Sequence, residues 1–333
     1  MFGIDIYWYG VVISAAIGLG FLYAVKRSRQ FGMISDKVFD AAIAGFIGAF
    51  IGARLYYVLF YNLNPENENK YTFITTITGV SNGGLAIYGG IIGAVLFAYI
   101  FMKLKRIRIL PVLDLAGLGF LLGIGLGRWG NFFNQEAYGA ATAGNLPWGM
   151  TGNRIALDIV VREAGEGALV HPCFLYESLW CLLGFALLHF YSKKLRTFDG
   201  EIFLLFAAWY GTGRVFNEQL RTDSLMLGDL KISQVLAGIS AGAAIGVFIY
   251  FKLRVKKNLN FKMYRDTDES GWAVTAYEEN LKLQKEKTAA KKALKKAEEV
   301  APSILGGNVG DDDGAPPAVR NNDEEDSGNG ENT

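Results

Sequence analysis

From Tyr7 to Phe251 the chain is a succession of long apolar runs joined by short polar stretches, and from Lys252 to Thr333 it is almost wholly polar. A run of about 20 apolar residues crosses the bilayer core as a helix, because lipid offers no partner for unpaired backbone groups. Seven windows qualify, approximately Trp8 to Val25, Ala41 to Tyr61, Gly83 to Met102, Val112 to Gly127, Pro172 to Tyr191, Ile202 to Phe216 and Ile232 to Phe251. The pattern predicts an all-α polytopic membrane protein with seven transmembrane helices. Basic residues gather between spans one and two (Lys26, Arg27, Arg29, Lys37), three and four (Lys103, Lys105, Arg106, Arg108), five and six (Lys193, Lys194, Arg196) and after the seventh (Lys252, Arg254, Lys256, Lys257). Seven crossings put all four clusters on one side. Lys and Arg are held on the cytoplasmic side, so the N-terminus is expected outside and the C-terminus inside. No basic segment precedes the first run and no small-x-small site follows it, so the first span is expected to be retained.

The polar stretches divide the chain. Residues 1–257 form the expected seven-span transmembrane domain, in which 131–170, between spans four and five, is too long and mixed for a turn and reads as an outer arm or small head. Residues 258–333 form a polar cytoplasmic tail. Its Lys, Glu, Ala and Leu from about Thr275 to Val300 suit a solvated helix, and its Gly, Asn and acidic residues from Gly306 to Thr333 suit disorder. Many of the 41 glycines fall inside apolar runs, where small residues let membrane helices approach closely. The net charge of +1 sums unlike parts and says little about partners; no nucleic acid is expected among them. Cys173 and Cys181 stand about 12 Å apart along one helix, too far for a disulfide. His171 and His189 are too few for a metal site unless carboxylates supply the rest. Neither a metal nor a cofactor is expected.

An ionisable side chain at membrane depth costs several kcal/mol unless it meets a partner or a water-filled cavity. Arg54 lies in the outer half of span two, followed by Tyr56, Tyr57 and Tyr61, which alone would suit an interfacial aromatic belt. Span four ends in Gly127-Arg128-Trp129-Gly130-Asn131-Phe132-Phe133-Asn134-Gln135-Glu136-Ala137-Tyr138-Gly139. If that stretch stays helical, Arg128, Asn131 and Gln135 share a face. Span six ends with Tyr210, Arg214, Glu218 and Arg221 at spacings that form one stripe, and span five opens His171-Pro172-Cys173-Phe174-Leu175-Tyr176-Glu177. A helix cap, a snorkelling Arg or a structural salt-bridged stripe would account for any one of these. Together they converge on the outer leaflet, and several guanidiniums near lipid headgroups suit a phosphate, which they grip bidentately. A transporter of a phospholipid or an anionic solute would use the same residues without making bonds, and a scaffold would need none of them.

The run Gly127-Arg128-x-Gly130-Asn131-Phe132-x-Asn134-x-Glu136-x-x-Gly139 resembles the hallmark of the prolipoprotein diacylglyceryl transferase family. Trp8-Tyr9-Gly10, Gly52-Ala53-Arg54, Gly83-Gly84-Leu85 with Gly89-Gly90, His171-Pro172-x-x-x-Tyr176-Glu177 and Gly213-Arg214-x-x-x-Glu218-x-x-Arg221 match it too. The resemblance covers about residues 5 to 252. It implies transfer of the diacylglyceryl group of phosphatidylglycerol to the lipobox cysteine thiol of a preprolipoprotein, with glycerol phosphate leaving, in the bacterial cytoplasmic membrane. It also implies a catalytic set of Arg128, Arg214, Tyr88, Glu136 and Glu218, with Tyr9, Arg54, Asn131, Asn134, His171, Tyr176, Glu177, Tyr210 and Arg221 binding substrate. Many members carry His where this chain has Tyr88, and a phenol with a pKa near 10 is a poor base at neutral pH. Tyr88 then orients the headgroup, or the base is Glu136, Glu218 or His171.

Overall fold

A computed structural model describes residues 8–65, 70–72, 84–142, 146–157, 168–221, 226–227, 230–258 and 261–305. Its helices are α1 (Trp8–Arg27), α2 (Ser35–Leu63), α3 (Ile87–Leu104), α4 (Ile109–Asn134), α5 (Cys173–Lys194), α6 (Glu201–Leu220), α7 (Ile232–Lys257) and α8 (Asp268–Leu305). A short antiparallel pair, β1 (Met226–Leu227) and β2 (Leu230–Lys231), lies between α6 and α7. Helices α1 to α5 and α7 are long and apolar enough to cross a membrane. Their outward faces carry exposed Leu19, Leu22, Phe46, Phe50, Leu96, Leu183 and Leu236, an apolar exterior far beyond the small patches a soluble protein shows. The chain is a multi-pass helical membrane protein.

The predicted windows find these helices but stop short of their ends. α4 runs past Gly127 to Asn134, and α2 starts at Ser35 rather than Ala41, because polar residues end a hydropathy window without ending the backbone ladder. Gly83, the expected start of the third span, lies outside the described residues. The sixth window corresponds to α6, 20 residues long, yet Glu201, Arg214 and Glu218 interrupt it and it is not one of the six apolar helices.

Helix α4 is the axis of the bundle, with Leu115, Leu118 and Leu121 wholly buried. α1 lies on one side of it, and on another α5, whose Ser178 Oγ donates to the Gly125 carbonyl at 2.7 Å. α5 is tied to α6 by two indoles stacked at 4.4 Å, each N–H donating to the other's carbonyl: Trp180 to Trp209 at 2.9 Å and Trp209 to Trp180 at 3.0 Å. Between α2 and α3 the backbones touch. A Cβ on Gly93 would collide with the Gly48 carbonyl and stand 2.9 Å from the Gly52 Cα.

The basic clusters meet at one end of the bundle. Arg27 donates to Ser192 Oγ at 3.0 Å, and Lys252 pairs with Glu201. The fully buried Arg196 and Asp114 pair at 3.3 Å, with the guanidinium 4.1 Å from the Phe31 ring centre. Asp114 also accepts the N–H groups of Gly200 at 2.9 Å and Phe203 at 3.0 Å, so a carboxylate from α4 satisfies donors that the first turn of α6 leaves open. Burial raises the neighbouring Asp199 carboxyl, against the pull of the Tyr264 N–H and of Arg196.

The compact unit runs to Glu278, whereas the sequence reading divides the chain after 257. Residues beyond α7 fold back on the basic end: Ser270 Oγ donates to the Gly32 carbonyl at 2.8 Å, and Tyr277 Oη to Asp36 at 2.6 Å. The second unit starts at Glu279, and α8 from Lys282 to Ala297 is exposed throughout. The stretch Gly306 to Thr333 lies outside the described residues. Substituting Gly93 by Val should force α2 from α3 and cost about 1–3 kcal/mol, as overpacking does, measured as a lower Tm in detergent.

Candidate active site

At the other end of α4 the chain makes an abrupt turn. Gln135 takes a left-handed conformation (φ 51°); its N–H bonds to the Phe132 carbonyl at 3.1 Å and that of Glu136 to the Asn131 carbonyl at 3.1 Å, a helix-ending pattern that usually employs Gly or Asn. The turn throws Glu136 back over the helix, where it accepts from Asn131 Nδ2 at 2.9 Å. It also removes Gln135 from the face that a continued helix would share with Arg128. The Gln135 amide instead accepts the Arg154 N–H at 2.8 Å in the following arm.

Glu177, only 4% exposed, is the hub. Its Oε1 accepts from Arg128 at 2.5 Å and, at 3.5 Å, from the Tyr210 hydroxyl. Its Oε2 accepts from Arg214 at 3.3 Å and from Asn217 Nδ2 at 3.0 Å. Arg214 reaches on to Glu218 at 2.7 Å, and Arg128 back to Asn131 at 3.4 Å. One network therefore joins Glu136, Asn131, Arg128, Glu177, Tyr210, Arg214 and Glu218 across α4, α5 and α6. The carboxylates fix the guanidiniums without exhausting them, since each guanidinium has five N–H donors. The Arg128 and Arg214 side chains remain 20% and 18% exposed, enough for a ligand to reach. Asn217, 7% exposed, belongs to this network and was not among the expected site residues; its place three residues beyond Arg214 on the α6 stripe is the signal that marks it.

Other expected residues take neighbouring positions. The Tyr176 hydroxyl lies 3.2 Å from His171 Nδ1 and accepts from Trp148 Nε1 at 3.0 Å. Around them the arm has a small apolar core of Met150, Ile155, Val170 and Phe174. It is stitched to the end of α6 through the Gly139–Arg221 bridge and the Ala140 N–H to Leu220 carbonyl bond of 3.0 Å. Arg221 is thus past the helical stripe, in extended conformation at the α6 cap. Lys231 closes the same end by donating to the Glu218 carbonyl at 2.6 Å and the Arg221 carbonyl at 2.7 Å. Asn134 accepts Arg154 through its backbone carbonyl at 3.2 Å. Tyr9, on α1, packs where a Cβ on Gly130 would be 3.1 Å from its ring.

Arg54 and Tyr88 belong to the α2–α3 pair. Arg54, 4% exposed, donates to the Gly84 carbonyl at 3.1 Å and lies 5.0 Å from the Tyr71 ring centre. Gly84 has a positive φ of 81°, and a Cβ there would be 2.8 Å from the Arg54 guanidinium. Tyr88 is 70% exposed on the first turn of α3.

Long apolar helices, an apolar exterior and a polar cluster sunk among the helix ends define a multi-pass membrane protein with a charged network in its interior. A family model described as prolipoprotein diacylglyceryl transferase matches residues 1–250. The chain is 40% identical over 260 residues to the phosphatidylglycerol–prolipoprotein diacylglyceryl transferase of Clostridioides difficile (strain 630), covering 78% of this chain and 96% of that one. It is 38% identical to the protein of that name from Finegoldia magna, over 78% of this chain and 96% of the other. It is likewise 38% identical to that of Listeria innocua, over 78% and 90%. The chain belongs to the prolipoprotein diacylglyceryl transferase family.

Replacing Glu177 by Ala leaves two partly buried guanidiniums facing each other without their shared carboxylate. The expected cost is about 3 kcal/mol, near the low end for breaking a buried pair, read as a fall in thermal stability of the purified protein.

Proposed function

We propose that this chain transfers the diacylglyceryl group of phosphatidylglycerol to the lipobox cysteine thiol of a preprolipoprotein, at the outer leaflet of the bacterial cytoplasmic membrane. The thiolate sulfur attacks the glyceryl carbon that carries the phosphate ester; the C–S bond forms, the C–O bond breaks, and glycerol phosphate departs with the bonding pair. Negative charge grows on the phosphate as it leaves. Arg128 and Arg214, pinned by Glu177 and with donors to spare, neutralise that charge in a site largely closed to water, where such donors act most strongly. The pinning of two guanidiniums by one buried carboxylate is the observation that carries the reading.

The cysteine thiol, with an ordinary pKa of about 8.5, must also lose its proton. Of the expected bases, Glu136 is held by the neutral Asn131 amide, whereas Glu218 is engaged by Arg214. We assign proton acceptance to Glu136. Tyr88, exposed on α3, serves headgroup orientation together with Arg54.

Two features support seven crossings with the N-terminus outside. α6 begins at the basic end, against Asp114, and its last turns reach Glu177 at the other, so it runs from one end of the bundle to the other. The four basic clusters share one end, which is the cytoplasmic end by the positive-inside rule.

Purified protein given phosphatidylglycerol and a lipobox peptide should yield a thioether-linked diacylglyceryl peptide by mass spectrometry; its absence with an inserted, folded protein sinks the reading. Arg128→Ala should lower transfer at least about 100-fold, as loss of one charge-stabilising donor does. Tyr88→Phe should retain transfer to within a factor of about three, as a residue that takes no proton allows.

A further inference from the structure

The basic end of the bundle holds a second concave site, built in part by a segment beyond residues 1–250, where the family match stops. It is a cavity of about 720 Å³ between the α3–α4 turn and the segment that returns after α7. Lys103, Arg106 and Arg108 line it from the turn, and Lys262 and Tyr264 from the returning segment. The Arg108 end of α4 is about 30 Å from Arg128, at 1.5 Å per residue, so this cavity is separate from the site around Glu177.

Charge in the cavity is unbalanced. Its two carboxylates are engaged: Glu269 by Arg108 at 2.8 Å, and Asp199 by the Tyr264 N–H at 2.7 Å. Among the described residues Lys103, Arg106 and Lys262 have no carboxylate partner. Arg106 also occupies a left-handed position (φ 52°), where its N–H bonds to the Lys103 carbonyl and that of Ile107 to the Met102 carbonyl. Glycine is the residue that adopts this helix-ending conformation without steric cost. An arginine held there keeps a cationic residue in the cavity lining against the local backbone preference. Ile109, Leu110 and Pro111 supply an apolar wall beside the cations.

The geometry points to a second binding site, for a phosphate-bearing anion, formed jointly by the α3–α4 turn and the segment from Lys262 to Glu269. Loose cations beside an apolar wall at a membrane helix end match the headgroup and first acyl carbons of an anionic phospholipid; a soluble organic phosphate presents the same headgroup without the chains. The site is defined by local contacts and does not depend on which way the protein faces.

The test uses full-length protein in neutral detergent carrying Arg128→Ala, which silences the anion site around Glu177, and follows binding by calorimetry. The ligands are dihexanoyl phosphatidic acid, glycerol 3-phosphate and dihexanoyl phosphatidylcholine. Phosphatidic acid should saturate one site, and Arg106→Gly/Lys262→Ala should weaken it at least tenfold. Glycine suits the backbone at 106, so the variant keeps its fold, checked by an unchanged Tm. Glycerol 3-phosphate binding at least tenfold more weakly than the lipid assigns the site to a lipid; equal binding assigns it to a soluble phosphate. Unaltered phosphatidic acid affinity in the double variant overturns the proposal, as does phosphatidylcholine binding as tightly as phosphatidic acid. Transfer by the double variant with Arg128 intact should match the parent, so failure of this proposal and failure of the transfer reading are separate results.

Discussion

A carboxylate shut away from water is costly unless its charge is answered, and Glu177 is answered twice, by Arg128 from α4 and by Arg214 from α6. That arrangement constrains three helices at once. α5 must present Glu177 inward, α4 must remain helical far enough to bring Arg128 level with it, and α6 must carry charged residues through an otherwise apolar bundle. The abrupt stop at Gln135 then lets Glu136 fold back onto Asn131. The chemistry proposed for this family member draws on the same interaction: the carboxylate that stabilises the guanidiniums in the resting protein also sets the positions from which they meet a phosphate.

The opposite end of the bundle repeats the theme with another pair. Asp114 answers Arg196 and at the same time caps α6. α6 is therefore anchored by buried carboxylates from other helices at both of its ends. This explains how a helix too polar to qualify as a span by hydropathy is nevertheless held in register with helices that do.

Much of this was legible in the sequence. Apolar windows located the helices, and the run from Gly127 to Gly139 and the Tyr210, Arg214, Glu218 stripe pointed to side chains that meet around Glu177. The rest depended on contacts between distant segments. The position of Asn217 three residues beyond Arg214 was visible, but that its amide has a partner follows only from the approach of α5. Gln135 fitted a helical face by spacing until the chain turned left-handed under it. The separate placement of Arg54 and Tyr88 on the α2–α3 pair follows from glycine faces that let two backbones meet, which a window of hydropathy averages away. The return of residues 261–278 onto the basic end relies on single hydrogen bonds such as Ser270 to Gly32, too sparse to leave a periodic trace.

Trp180 and Trp209 stack one helical turn from Glu177 and one residue from Tyr210, clasped by reciprocal hydrogen bonds between α5 and α6. Two indoles so close share their excited states, and that sharing decays steeply once the rings slide apart. The bundle thus contains its own optical gauge: near-ultraviolet dichroism or emission from this couple registers any parting of α5 from α6 without a foreign dye.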